Sequence, residues 1–138
     1  MMMQNTQTKL LYSILCDNTT VDTNGKAVIF GTFNTIFSQN FPCTHPAMYL
    51  VTGWTHLEGE HTQKVVILKP NGDKLGEIDN MKFKSPNSTM ITHLQAFFGN
   101  LPFETEGTYH FEIHLDGAIY QTLSLHLQKL PTQSAQVN

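Results

Sequence analysis

Arginine is absent from this chain of 138 residues, and its 8 lysines are outnumbered by 11 acidic side chains, for a formal net charge of −3 at pH 7. Proteins that bind nucleic acids or anionic membrane surfaces usually present a basic patch to the phosphates of their partner. Neither nucleic acid nor a membrane surface is therefore an expected partner.

Long apolar runs and secretion signals are also lacking. No window approaches the roughly 18 to 20 apolar residues that cross a bilayer, and the N-terminal residues lack the basic start and unbroken apolar stretch of a signal peptide. Cys16 and Cys43 are the only cysteines, whereas small secreted scaffolds are dense in disulfides. We expect a soluble, cytoplasmic protein with both thiols in its core, a single Cys16–Cys43 bridge being the alternative.

Charged residues make up only 14% of the chain against a usual value of about 25%, while hydrophobic residues reach 40%. Short runs of alternating apolar and polar residues, separated by Gly, Pro and Asn, predict β-strands nearly throughout. The predicted fold class is all-β, a single antiparallel immunoglobulin-like β-sandwich of seven to eight strands. The sandwich domain is expected to span residues 9–130, between flexible tails at residues 1–8 and 131–138.

Two stretches are predicted to depart from regular strands. Between Lys26 and Phe37 both faces are apolar, which predicts a strand that lies centrally or changes sheets, with a kink at Gly31. The polar stretch Asn80–Ser88 predicts an irregular crossover. The residues expected to face the core are Phe30, Trp54, Val66, Leu94, Tyr109, Phe111, Ile113, Leu123 and Leu125.

Two hairpins can be assigned from turn residues and alternation. The sequence Pro70-Asn71-Gly72 is typical of a three-residue turn between strands. In the last hairpin the apolar positions of both arms are odd-numbered, so the numbers of facing residues must have an even sum. These positions are Tyr109, Phe111, Ile113 and Leu115 on the first arm and Ile119, Leu123, Leu125 and Leu127 on the second. That parity argues against a two-residue Asp116-Gly117 loop and predicts a three-residue loop, Asp116–Ala118, or a five-residue one.

Several short elements of the chain are structural in character: turn glycines, strand starts, and a tyrosine placed like the corner tyrosine of immunoglobulin-like folds. They are Leu15-Cys16-Asp17, Gly25-Lys26 with Ile29-Phe30-Gly31-Thr32-Phe33, Asn40-Phe41-Pro42, Pro70-Asn71-Gly72 and Gly107-Thr108-Tyr109-His110-Phe111. Through these elements the chain resembles, over about residues 10 to 128, a family of short bacterial proteins known only as a domain of unknown function. The resemblance implies a stand-alone immunoglobulin-like sandwich in the bacterial cytoplasm, and it assigns no activity and no site.

Seven histidines are the most unusual supply of functional groups. His110, Glu112 and His114 alternate along one strand face at a spacing of about 7 Å, so they are weak candidates for metal ligands, with water as a fourth. Polar residues at every second position are also what the solvated face of an antiparallel sheet carries. A register in which Ser124 faces His110 would bring a hydroxyl next to an imidazole, with Glu112 nearby, but on an open sheet without an oxyanion hole. No catalytic residue, cofactor or firm metal site is therefore predicted.

Recognition of another protein is the remaining option. Phe83, between Lys82 and Lys84, and Phe103, beside Pro102, are the candidate surface anchors. We predict a non-enzymatic protein-interaction module that binds a protein partner or its own copy through an edge strand or a loop end. The alternative is a small-ligand or metal-binding sandwich that uses the histidine-bearing strand face.

Overall fold

Alternating side chains form β-strands along most of the chain, as the sequence predicts. The structure, a computed structural model, describes residues 8–131, and 73% of them lie in strands with no helix among them. The predicted all-β fold is thus confirmed. Residues 1–7 and 132–138, which hold most of the two predicted tails, lie outside the described residues. Within the described range the nine strands are β1 (Lys9–Val21), β2 (Ala27–Thr32), β3 (Thr35–Ser38), β4 (Cys43–Thr55), β5 (Gly59–Leu68), β6 (Lys74–Ser85), β7 (Thr92–Phe103), β8 (Gly107–Leu115) and β9 (Ala118–Lys129).

The strands are divided between two sheets. Sheet A has the order β2-β1-β4-β7, and sheet B has the order β3-β9-β8-β5-β6. Neighbouring strands are antiparallel except β3 and β9, which run parallel. The described residues hold one strand more than the upper prediction of eight, because the run from Lys26 to Phe37 is split into β2 in sheet A and β3 in sheet B.

The core lies between the sheets. Leu50 and Trp54 of β4 and Phe111 and Ile113 of β8 are fully buried within one apolar cluster. Burial of each such side chain stabilises the fold by roughly 1.5–3 kcal/mol. Pairs of this kind, drawn from both sheets, hold the two layers together.

Most of the predicted inward set is confirmed. Trp54, Tyr109, Phe111, Ile113 and Leu125 are buried in the core, and Leu94 and Leu123 are partly buried against it. The prediction for Phe30 is wrong, since its side chain is 49% exposed. Its assignment rested on an alternation that continues past Gly31, where the chain changes sheets, and one parity cannot describe strands in two sheets. The prediction for Val66 is also wrong, because its buried side chain faces Glu112 on the outer side of sheet B and does not belong to the core.

Gly31 marks the change of sheet. Its φ is +68°, and a Cβ at this position would lie 2.6 Å from Oδ2 of Asp17. Both the backbone conformation and the close approach of Asp17 therefore favour glycine. Beyond it β2 of sheet A gives way to β3 of sheet B, so the predicted kink and sheet change are confirmed.

The β5–β6 hairpin confirms one prediction and contradicts another. The Lys69 N–H donates to the Asp73 carbonyl at 2.7 Å and Gly72 has a φ of +94°, which closes the predicted three-residue loop. The crossover predicted at Asn80–Ser88 is wrong, because β6 continues through most of that stretch. Asn80 takes a φ of +56° where the register with β5 shifts, so a bulge keeps these polar residues paired.

The β8–β9 hairpin has the predicted register but not the predicted loop. His110 faces Ser124, and the numbers of facing residues have an even sum from the pair Gly107 and Leu127 to the pair Ile113 and Gln121. The turn is nevertheless the two-residue Asp116-Gly117, with φ values of +50° and +88°, which suit a tight hairpin. A register shift next to Ile113 adds one residue to β9 and so restores the parity. Ile119, expected on the apolar face, is consequently 56% exposed.

Tyr109 forms the predicted corner. Its hydroxyl donates to the Thr105 carbonyl at 2.8 Å, and its ring meets Phe103 edge-on with 4.9 Å between the centroids. The loop before β8 is thereby attached to the core at the point where the chain enters the strand.

The two cysteines are not bridged. Both are free thiols, Cys16 being fully buried and Cys43 partly buried. Burial raises the pKa of the Cys16 thiol, so its reactive thiolate form is disfavoured.

Candidate functional site

The histidine-bearing face lies on the outside of sheet B, on its central strand β8. Nε2 of His114 is 3.2 Å from Oε1 of Glu112, and both side chains are partly buried. Within residues 8–131 no three His, Cys, Asp or Glu side chains form a group that could hold a metal ion. His110, Glu112 and His114 thus do not converge on one point, because same-face residues along an extended strand stand apart.

The two predicted aromatic anchors lie in different surroundings. Phe103 is 0% exposed and belongs to the core, so its predicted place on the surface is wrong. It ends β7, where the inward face of the strand packs on Tyr109. Phe83 is partly buried and lines an open pocket of about 500 Å³ at the edge of sheet B. The other residues that line this pocket are Glu60, His61, Thr62, Lys82, Lys84 and Asp116.

His61 is held firmly within the Phe83 pocket. Its Nδ1 is 2.7 Å from Oδ2 of Asp116, and its Nε2 is 2.9 Å from the carbonyl oxygen of Glu58. Both partners are acceptors, so the protonated imidazolium satisfies both at once. Burial by itself lowers the pKa of His61, but the hydrogen bonds to Asp116 and Glu58, with the charge of Asp116, raise it overall. Because both ring nitrogens are occupied, His61 connects two loops and offers no nitrogen to a ligand.

The strand that borders this pocket, β6, is a charged edge. Its charged side chains are Lys74, Glu77, Asp79, Lys82 and Lys84. Charged residues and bulges are the usual means by which an edge strand avoids pairing with other chains. With these charges and the bulge at Asn80, the β6 edge of sheet B is protected.

The edge strand β7 is the opposite case. It is 12 residues long and contains no Lys, Arg, Asp or Glu. In the part of the chain that the structure describes, β4 is its one strand neighbour. The backbone N–H and C=O groups along the other side of β7 therefore have no strand partner there, which makes this side a template for another strand.

An aromatic pair lies beside this edge, on the outer face of sheet A. Phe97 of β7 is 51% exposed, and its ring centroid is 5.1 Å from that of Tyr49 on β4. Gly99 leaves room for the ring, since a Cβ there would come within 3.1 Å of it. Aromatic side chains are enriched in protein interfaces. Residues 92–99 of β7 together with Tyr49 are called the β7 edge surface below.

A hydrogen bond on the same face connects the first strand to the edge strand. The Tyr12 hydroxyl on β1 bonds Nδ1 of His93 on β7, and both residues face Gly53 of the intervening β4. A Cβ at Gly53 would collide with the Tyr12 ring, so glycine lets the ring span β4. Burial raises the pKa of Tyr12. The bond ties β7 to the rest of sheet A.

Sequence reasoning did not single out β7. A signal existed, because the 19 residues between Lys84 and Glu104 contain no charged residue. The strand β4 also lacks Lys, Arg, Asp and Glu, yet it lies inside sheet A, where charges are not needed to prevent pairing. Only the strand order distinguishes an uncharged central strand from an uncharged edge.

Comparisons with known proteins give a family and a distant structural likeness. The model of a family described as "Family of unknown function (DUF6941)" matches residues 11–128. No match was found among curated proteins. The crystal structure of the C-terminal domain of Wzt is similar at 12% identity and a TM-score of 0.47, over 91% of this chain and 75% of that one. Among residues 8–131 there is no helix of the length and apolarity needed to span a membrane.

Proposed function

Since the chain belongs to DUF6941, a family of unknown function, we propose its function from the surface just described: it is a non-catalytic protein-interaction module that takes an extended partner segment along β7. A partner strand added to a sheet edge gains main-chain hydrogen bonds, and its alternate side chains provide specificity.

We further propose that the chain is an immunoglobulin-like sandwich that acts in a bacterial cytoplasm. The corner at Tyr109 supports the fold assignment, and the free thiols support a reducing compartment.

The observation that carries this proposal is a long edge strand without charge. The edge strand β6 of sheet B carries five charged side chains, and β2 and β3 are only 6 and 4 residues long. Short or charged edges resist strand addition, whereas a long uncharged one favours it. Of the four edges that the described residues form, β7 is therefore the one suited to strand addition.

The aromatic pair adds a side-chain contact to the backbone pairing. Phe97 is about half exposed and lies against Tyr49, next to the position that an added strand would occupy. Cross-strand pairs that include an aromatic residue contribute roughly 0.2–1 kcal/mol each. A partner with an apolar residue opposite Phe97 is expected to bind better than one with a charge there.

Photo-crosslinking tests the proposal. A photoreactive phenylalanine is placed at Phe97, and in a control protein at Phe30, which is exposed to a similar degree on the other edge strand of sheet A, at 49% against 51%. Irradiation in the native host is expected to give a defined protein adduct from position 97 and none from position 30.

Dependence on the edge is tested by a charge. Gln95→Lys, on the outer face of β7, is expected to abolish the adduct, whereas Thr32→Lys, on the edge strand β2, leaves it unchanged. An adduct that forms equally from positions 30 and 97, or one that survives Gln95→Lys, would contradict strand addition at β7.

A further inference from the structure

We infer that the segment added to β7 is β7 of a second copy, so that two sheets A join into one eight-stranded sheet across a two-fold axis. This inference rests on the proposed function and names its partner. Homo-oligomers with two-fold symmetry use the same patch on both subunits, and such a patch must be complementary to itself. The β7 edge surface meets that condition in its charge, its length and its side chains.

Charge is the first part of this self-complementarity. In a two-fold antiparallel pair each residue has its mirror position in the partner, so a charged strand places like charges opposite or near one another, which is destabilising. Residues 92–99 carry no Lys, Arg, Asp or Glu, and pairing them with their own copy therefore opposes no like charges. The β6 edge, with Lys82 and Lys84 two residues apart, fails this requirement.

The backbone sets the length of the paired segment. Asn100 has a φ of +53° and Pro102 has no N–H to donate, so regular pairing ends at Gly99. The strand begins at Thr92, which leaves eight residues, or about 26 Å at 3.3 Å per residue. This is a short interface, and small interfaces are typical of weak, reversible association.

The side chains select the register. Residues of one face meet the same face of the copy only when the facing numbers have an even sum. A register centred on Gln95 pairs residues 92–98, seven of the eight residues 92–99. It places the Gln95 amide opposite the same amide of the copy, and it places His93 opposite Phe97 twice. Aromatic cross-strand pairs of this kind are stabilising, and Phe97, now 51% exposed, would be covered by the copy.

Sedimentation velocity of the purified chain, from micromolar to millimolar concentration, tests whether the second copy is the partner. The wild type is expected to shift from monomer to dimer with concentration. Gln95→Lys is expected to stay monomeric, while Thr32→Lys behaves as the wild type, and thermal melts confirm that both variants are folded. A wild type that is monomeric throughout, or a Gln95→Lys variant that still forms dimers, overturns the inference.

Cysteines introduced one at a time test the register. Cys43, whose free thiol is partly buried, is replaced by serine in both variants, and Cys16 is fully buried. Gln95→Cys is expected to form a covalent dimer under mild oxidation, because residue 95 faces its own copy. Phe97→Cys is expected to form little, because it faces His93. Equal cross-linking of both, or none from Gln95→Cys in a protein that sediments as a dimer, overturns the register.

The two proposals can fail separately. If the chain is monomeric but the photoreactive group at position 97 captures a different protein in an edge-dependent way, the second copy is wrong and strand addition stands. If neither dimer nor edge-dependent adduct forms, both proposals are wrong.

Discussion

The side-chain oxygen of Gln63 accepts the indole N–H of Trp54 at 2.7 Å, a hydrogen bond that joins the two sheets inside the core. The same oxygen accepts the Thr52 hydroxyl at 2.7 Å, and all three residues are fully buried. Among the described side chains every buried nitrogen and oxygen has a partner. Gln63 thus provides the one acceptor that two buried donors of β4 share.

Replacing this glutamine tests its role as the shared acceptor. Gln63→Leu leaves the Thr52 hydroxyl and the Trp54 N–H without their acceptor, and each unsatisfied buried donor costs about 1–3 kcal/mol. Urea unfolding is expected to show a decrease in the free energy of unfolding of about 2–6 kcal/mol. Adding Thr52→Val, which removes one of the two donors left without an acceptor, is expected to recover part of the lost stability. A single variant as stable as the wild type would show that the buried donors find other partners.

The clamp of His61 between Asp116 and Glu58 predicts a dependence of stability on pH. The pKa of His61 is raised in the folded protein, above the value of about 6.5 expected for the unfolded chain. The contribution of His61 to the free energy of unfolding is therefore fully present below about pH 6.5, and it is lost as the pH rises through the pKa of the folded protein. The urea midpoint is expected to fall over that interval in the wild type, and to fall less in His61→Gln. Parallel pH profiles for the two proteins would contradict the clamp.

The contact between Tyr12 and Gly53 predicts a strongly coupled pair. Gly53→Ala introduces a Cβ where the Tyr12 ring lies, and forced repacking of this kind typically costs about 1–3 kcal/mol. In a Tyr12→Ala background the same change is expected to be nearly neutral, because the ring is gone. A double-mutant cycle from unfolding free energies measures the coupling, and additive effects would show that the ring is not what selects glycine.

Two phenylalanines with opposite outcomes provide a matched test of the core. Phe111 is 0% exposed and meets Phe98 edge-on at 5.6 Å, so Phe111→Ala is expected to cost about 3–5 kcal/mol. Phe30 is about half exposed, and Phe30→Ala is expected to stay within about 0.5 kcal/mol of the wild type. Chemical denaturation of both variants measures the two effects. Similar losses from both would place Phe30 in the core after all.

Some expectations remain predictions. The absence of arginine and the net charge of −3 still predict that the chain does not bind DNA, RNA or anionic membranes, because neutralising phosphates requires basic side chains. The flexibility of the two tails falls mainly on residues outside the described range.

Local patterns in the sequence determined most of the strands and turns. Odd-numbered apolar residues from Tyr109 to Leu115 predicted β8 and its inward face, because alternation depends on neighbouring residues. Pro70-Asn71-Gly72 predicted the loop between β5 and β6 for the same reason. The corner bond of Tyr109 reaches back only four residues and was predictable for the same reason. Gly31 indicated the position of the sheet change, since an interior glycine between apolar runs is typical of a kink.

The tertiary structure decided the features that depend on distant residues. Parity along one strand could not reveal that a bulge in β9 would accommodate the Asp116-Gly117 turn, or that Asn80 would let β6 continue. Phe103 has the surroundings of a surface residue in the sequence but packs on Tyr109 in the core. The uncharged stretch of β7 became a candidate site only through the strand order, which places β7 at an edge and β4 inside. Strand order follows from pairing between segments far apart in the chain, and no periodicity within a single segment records it.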